Sequence, residues 1–76
     1  MQYNITVNYN TINKDNEPLT ITVIDHIIKD TNELVQEYIQ NTITNGEGTI
    51  EIYHNQDSYV VNRNTGVVIS VEEQTN

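Results

Sequence analysis

The chain has 76 residues, with eleven acidic and three basic side chains for a formal net charge of −8, and it has no cysteine. That balance argues against direct contact with nucleic acid or anionic membranes, since both depend on Lys and Arg meeting phosphate. The lack of cysteine excludes a disulfide framework and thiolate metal sites.

This length supports one domain, residues 1–76, whose apolar set is Ile, Val and Tyr with two Leu and one Met. A core this small yields only ~3–5 kcal/mol, and such domains commonly gain stability by association. The start, Met1-Gln2-Tyr3-Asn4-Ile5, has no basic stretch leading into an apolar run, so no secretory leader is expected. No apolar run approaches the ~20 residues that cross a bilayer. A cytoplasmic protein is the expectation.

In chain order, Tyr3, Ile5, Val7 and Tyr9 alternate with Asn4, Thr6 and Asn8, the period of a half-buried strand. Residues 10–18 are polar and end in the only proline, which suits a loop. Leu19, Ile21 and Val23 then alternate with Thr20 and Thr22, giving a second strand and a hairpin.

Residues 30–43 read as the one amphipathic helix. At 100° per residue Leu34, Val35, Tyr38, Ile39 and Thr42 share an arc, with Asp30, Glu33 and Glu37 opposite. Asp30 with Glu33 has the form of a capping box. Ile24, Ile27 and Ile28 fall on the same apolar arc, so a start near Asp25 is the alternative. Asn45-Gly46-Glu47-Gly48 supplies the stop.

The last third reads as a meander of strands at 49–54, 58–63 and 67–72. Its turns are at 55–57 and 64–66, with Gly66 suited to a left-handed position, and residues 73–76 form a frayed tail. The order ββαβββ predicts an α+β domain: an antiparallel sheet of about five strands with one helix packed on it. With Ile50, Ile52, Val67, Ile69 and Val71 facing the helix, parity places Tyr53, Val60 and Val68 on the far side. There they form an apolar cluster and a candidate homodimer contact.

Few residues suit catalysis. His26 and His54 lack the ligand spacing of a zinc site, and neither Ser58 nor Ser70 lies in a nucleophile elbow. Gly46-x-Gly48 leads into a strand, so it offers no phosphate-binding helix start. Glu33 and Glu37 are helical neighbours that lack a cleft. No enzyme, cofactor or metal is expected.

What remains is the spacing of the acids. Helical carboxylates three or four apart lie ~5–6 Å from each other at Cβ, near the separation of successive phosphates, which recur every ~3.4 Å of rise along a strand. Asp30, Glu33 and Glu37, joined by Glu47, Glu51, Asp57, Glu72 or Glu73, form a candidate surface for a basic DNA-binding protein. In size, acidity, lack of cysteine and Asn/Ile/Thr-rich composition, the chain resembles the host-takeover proteins of bacteriophages. It is similar in particular to the small acidic DNA mimics of large lytic Bacillus phages, a group that includes an inhibitor of the nucleoid protein HU. The resemblance implies a compact monomer or homodimer, in the bacterial host cytoplasm, occupying the DNA-binding saddle of HU. Phage anti-CRISPR proteins share the same general character. A sheet-mediated structural or interaction module is the alternative from a different class.

Overall fold

The computed structural model describes residues 1–75. Five strands and one helix follow in the order β1 (Gln2–Ile12), β2 (Pro18–Ile28), α1 (Asn32–Tyr38), β3 (Thr49–His54), β4 (Asp57–Asn62) and β5 (Val67–Gln74). A π-helical segment, Ile39–Thr44, continues α1, and one 3-10 turn, Arg63–Thr65, precedes β5. The expected α+β class and element order hold. The strands, however, divide into two antiparallel sheets, β2-β1-β5 and β3-β4.

The first hairpin is longer than its alternation implied. β1 and β2 pair over eleven residues each, from Gln2↔Ile28 to Ile12↔Pro18. Asn13 closes the loop by accepting from the Asp15 and Glu17 amides, both at 2.9 Å, through its side-chain oxygen. Asn16 takes the left-handed backbone that the turn requires (φ 64°). Ile24, Ile27 and Ile28 therefore extend β2 and do not begin the helix. That start comes at Thr31, whose hydroxyl accepts from the Leu34 amide at 3.2 Å, so Thr31 and not Asp30 is the cap.

The helix stops at the expected place, but not through the positive φ that Asn45 and Gly46 were expected to supply. Asn45 has φ −108°, and among the described glycines only Gly48 is left-handed, at φ 82°. The Asn45 amide bonds to the Gln40 carbonyl at 2.9 Å, a wide i→i−5 closure. Gly46 then passes so near the Thr42 carbonyl that an added Cβ would lie 2.1 Å from its oxygen. β3 and β4 join through a two-residue turn in which Asn55 and Gln56 both have positive φ, 49° and 70°.

The expected meander fails at its second turn. The chain leaves β4 through the 3-10 turn and crosses to the free side of β1, so β5 pairs with β1 and not with β4. Gly66 is extended there (φ −67°), not left-handed. Its value is its lack of a side chain, because a Cβ would sit 2.8 Å from both the Tyr9 ring and Val7. Pairing of β5 runs through Gln74, opposite Gln2, so residues 73 and 74 are strand and not tail. Residue 76 lies outside the described residues.

A register shift between Thr6 and Val7 leaves Ile69 without a partner residue and reverses the parity of β5. Val68 and Val71 turn inward against the core, while Val67 and Ile69 are exposed. Val68 therefore lies in the first sheet, away from Tyr53 and Val60, and the expected three-residue cluster is not formed.

The core lies between the layers. Tyr3, Ile5, Val7 and Tyr9 of β1, with Ile21 and Ile27 of β2, pack beneath Val35, Ile43, Ile52 and Val61. The other face of the three-stranded sheet is bare. On it Thr20 donates to Asn10, and Thr22 to Asn8, each at 2.7 Å. Among the described residues no helix is long and apolar enough to cross a membrane.

Candidate functional site

Val35, fully buried, sets the rotation of α1. Glu33 and Glu37 lie two residues either side of it, about 200° around the helix, so both carboxylates turn to solvent. Asp30 is exposed in the connection that leads into the helix. None of these three carboxylates is ion-paired, because the single salt bridge among the described residues joins Lys14 Nζ to Asp57 Oδ1 at 3.1 Å. Lys29, a cation beside the helix, stands 5.6 Å above the Tyr38 ring. With Glu37 and Asn41 it borders a shallow depression.

The other expected acids do not join these three in one row. Glu73, opposite Tyr3, is at the end of the sheet where β2 finishes and the chain turns toward Asp30. Glu72 is opposite Asn4 on the bare face, across a slab with a shortest extent of 16 Å. Glu47 follows the π-helical segment. Glu51 is on the outer face of β3, where the Tyr53 hydroxyl donates to it at 2.7 Å. That bond, aided by the neighbouring Ser58 hydroxyl, holds the Glu51 carboxyl below its usual range, and the same Tyr53–Glu51 bond raises the Tyr53 phenol. Asp57, at the head of β4, is engaged by Lys14. Asp30, the helical acids and Glu73 thus share one end of the molecule, Glu72 lies at that end on the opposite face, and Glu47, Glu51 and Asp57 are dispersed.

Tyr53 and Val60 are exposed at 74% and 64%. They occupy neighbouring positions on the outer face of the small sheet, since Glu51 opposes Val60 and Ser58 opposes Tyr53.

No known family, curated protein or solved structure matches the chain. Its site must be read from its own side chains.

One polar group lies beneath the helix. Asp25 occupies an inward position of β2, in the series Ile21, Val23, Asp25, Ile27, and accepts the Tyr38 hydroxyl at 2.5 Å. Burial first, then this bond to the carboxylate, pushes the Tyr38 phenol up to about 12. Burial likewise raises Tyr9, against the opposing pull of Arg63. Tyr9, Asp25, Thr42 and Arg63 border a cavity of about 130 Å³. A carboxylate breaking the apolar parity of a strand is the sequence signal for this pair, though only with β2 extended past Val23.

The second feature missing from the sequence reading is a groove of about 680 Å³ along residues 20–23 of β2 and 50–54 of β3. No pattern in the sequence marks it, because it arises from the division into two sheets. Among the described residues no group of three or more His, Cys, Asp or Glu is placed to hold a metal ion.

Proposed function

We propose that the chain binds a basic, DNA-contacting protein through its unpaired carboxylates and so competes with nucleic acid. The observation that carries this reading is the exposure of Asp30, Glu33 and Glu37 without ion-pair partners at one end of a −8 chain. A protein surface built to meet phosphates carries Lys and Arg at close spacing. Glu33 and Glu37, four apart on α1 and so ~5–6 Å from each other at Cβ, suit that surface in place of a duplex, with Asp30 preceding them. In its narrowest form the partner is a bacterial nucleoid protein such as HU, and a CRISPR effector is the alternative within the same chemistry.

The test is displacement of labelled DNA from purified HU, followed by fluorescence anisotropy across a salt series. Competition is expected to weaken steeply with salt, as exposed charges are screened beyond ~8 Å near 0.15 M. The triple variant Asp30→Lys, Glu33→Lys, Glu37→Lys should lose it. Displacement that survives this reversal overturns the proposal.

The exposed pair Tyr53 and Val60 favours a second reading, a sheet-mediated contact that includes a homodimer. Association through it should resist salt and fail in Val60→Asp, as read by sedimentation velocity.

A further inference from the structure

β2 and β3 each end a sheet, and they are not hydrogen-bonded to one another. Ile50 shares a cavity with Val23, and His54 shares one with Leu19, so the two strands pass each other antiparallel. For the most part their Cα atoms stand more than 8 Å apart, well beyond the ~4.8 Å spacing of paired strands. The groove of about 680 Å³ runs between them.

Both walls expose strand edges, with free backbone N–H and C=O groups. Edges of this kind are usually guarded by Lys, Pro, a bulge or an inward charge. β5 has such guards, with a bulge at Ile69 and Glu72 and Glu73 beside it. On β2 the inward charge is Asp25, past the groove, and residues 20–23 carry none. Between the edges lie the apolar side chains Ile21, Val23, Ile50 and Ile52. An extended segment of four or five residues, at ~3.3 Å per residue, matches the length of these walls.

Charge decides the occupant. Among the described residues Glu51 is the one carboxylate on the groove, and no Lys or Arg borders it. A second copy brings a further −8 and is repelled, whereas a segment carrying Lys or Arg is attracted. We infer that the groove between β2 and β3 takes up an extended, basic segment of a partner protein as an added β-strand. The sign of the partner's charge rests on the function proposed above, while the docking mode rests on the open edges.

The probe is a blocked peptide of about seven residues alternating Lys and Val, long enough to fill the groove. A version with Glu for Lys and one with Pro for Val serve as controls. Amide hydrogen exchange of the full chain should slow at residues 20–23 and 50–54 with the Lys–Val peptide and with neither control. Glu51→Lys and Thr22→Lys change exposed residues and leave the core intact. Each should weaken binding roughly tenfold, the first by reversing charge and the second by blunting the edge. Protection confined to α1 overturns the groove and leaves the carboxylate reading standing. Groove protection that persists when Asp30, Glu33 and Glu37 no longer affect DNA displacement does the reverse. Protection that grows with protein concentration alone assigns the groove to a second copy and overturns the inference.

Discussion

Asp25 and Tyr38 are joined by the one side-chain hydrogen bond that ties the helix to the sheet among the described residues. Because the folded phenol titrates near 12 and an unfolded one near 10, the native state holds this proton more tightly. The resulting stabilisation is complete below pH 10 and is lost as pH rises through the interval to 12. Chemical denaturation across pH 9–12 should show that decline, and Tyr38→Phe should reduce it. At neutral pH the same substitution should cost about 1.5–3 kcal/mol, the range for a hydrogen bond to a charged group. An unchanged alkaline profile in Tyr38→Phe would assign the decline to other groups, with Tyr9 the next to examine. The helix start gives a second test at this scale. Thr31→Ala should cost about 1 kcal/mol by removing the acceptor for the Leu34 amide. Asp30→Ala should change little, and equal losses would mean that Asp30 shares the capping.

Single glycines decide how the elements connect. An alanine at Gly46 meets the Thr42 carbonyl, which belongs to the helical backbone and cannot rotate away. At Gly66 it meets the Tyr9 ring and a Val7 methyl, which can yield by small shifts at a cost of about 1–3 kcal/mol. Gly46→Ala should therefore lower the thermal midpoint more than Gly66→Ala, and the opposite order would show that the π-helical segment yields readily. The same positions show how far the sequence could be read. Alternation located β1, and the 3.6-residue arc located α1, because both follow from one buried face. The helix end was legible from Gly46, since a stop signal is local. The partner of β5 was not, because Gly66 acts by admitting the chain past Tyr9, a contact across more than fifty residues. Nor was the bulge at Ile69, where one unpaired residue turns Val68 inward, while the pairing of β5 with β1 takes Val68 into the other sheet and dissolves the expected cluster with Tyr53 and Val60. The acids were legible as a solvent-facing pair on α1 but not as a surface, because Glu51, Asp57 and Glu72 take their positions from sheets whose arrangement no local pattern encodes.

The molecule as a whole is thin and long, 43 × 27 × 16 Å, with a radius of gyration of 13.5 Å against about 11 Å expected for this length. One face of the larger sheet, the outer face of the smaller one and the groove between them all remain open, so much of the chain is surface. Ten of the eleven acidic side chains, all but the inward Asp25, share that surface with three basic ones, and one salt bridge joins the two sets among the described residues. Repulsion among the carboxylates must therefore oppose the fold more than pairing supports it. Raising ionic strength from 0.01 to 0.15 M shortens the screening length from ~30 to ~8 Å. Relief on the order of 1 kcal/mol would raise the thermal midpoint by about 4–8 °C in a domain of this size. Scanning calorimetry over that range tests this, and a falling midpoint would show that attractive pairs prevail. The result also bears on partner binding. Salt should stabilise the chain while it weakens capture of a basic partner, so affinity lost at high salt cannot be ascribed to unfolding. If stability and affinity instead fell together, the electrostatic account of both would fail.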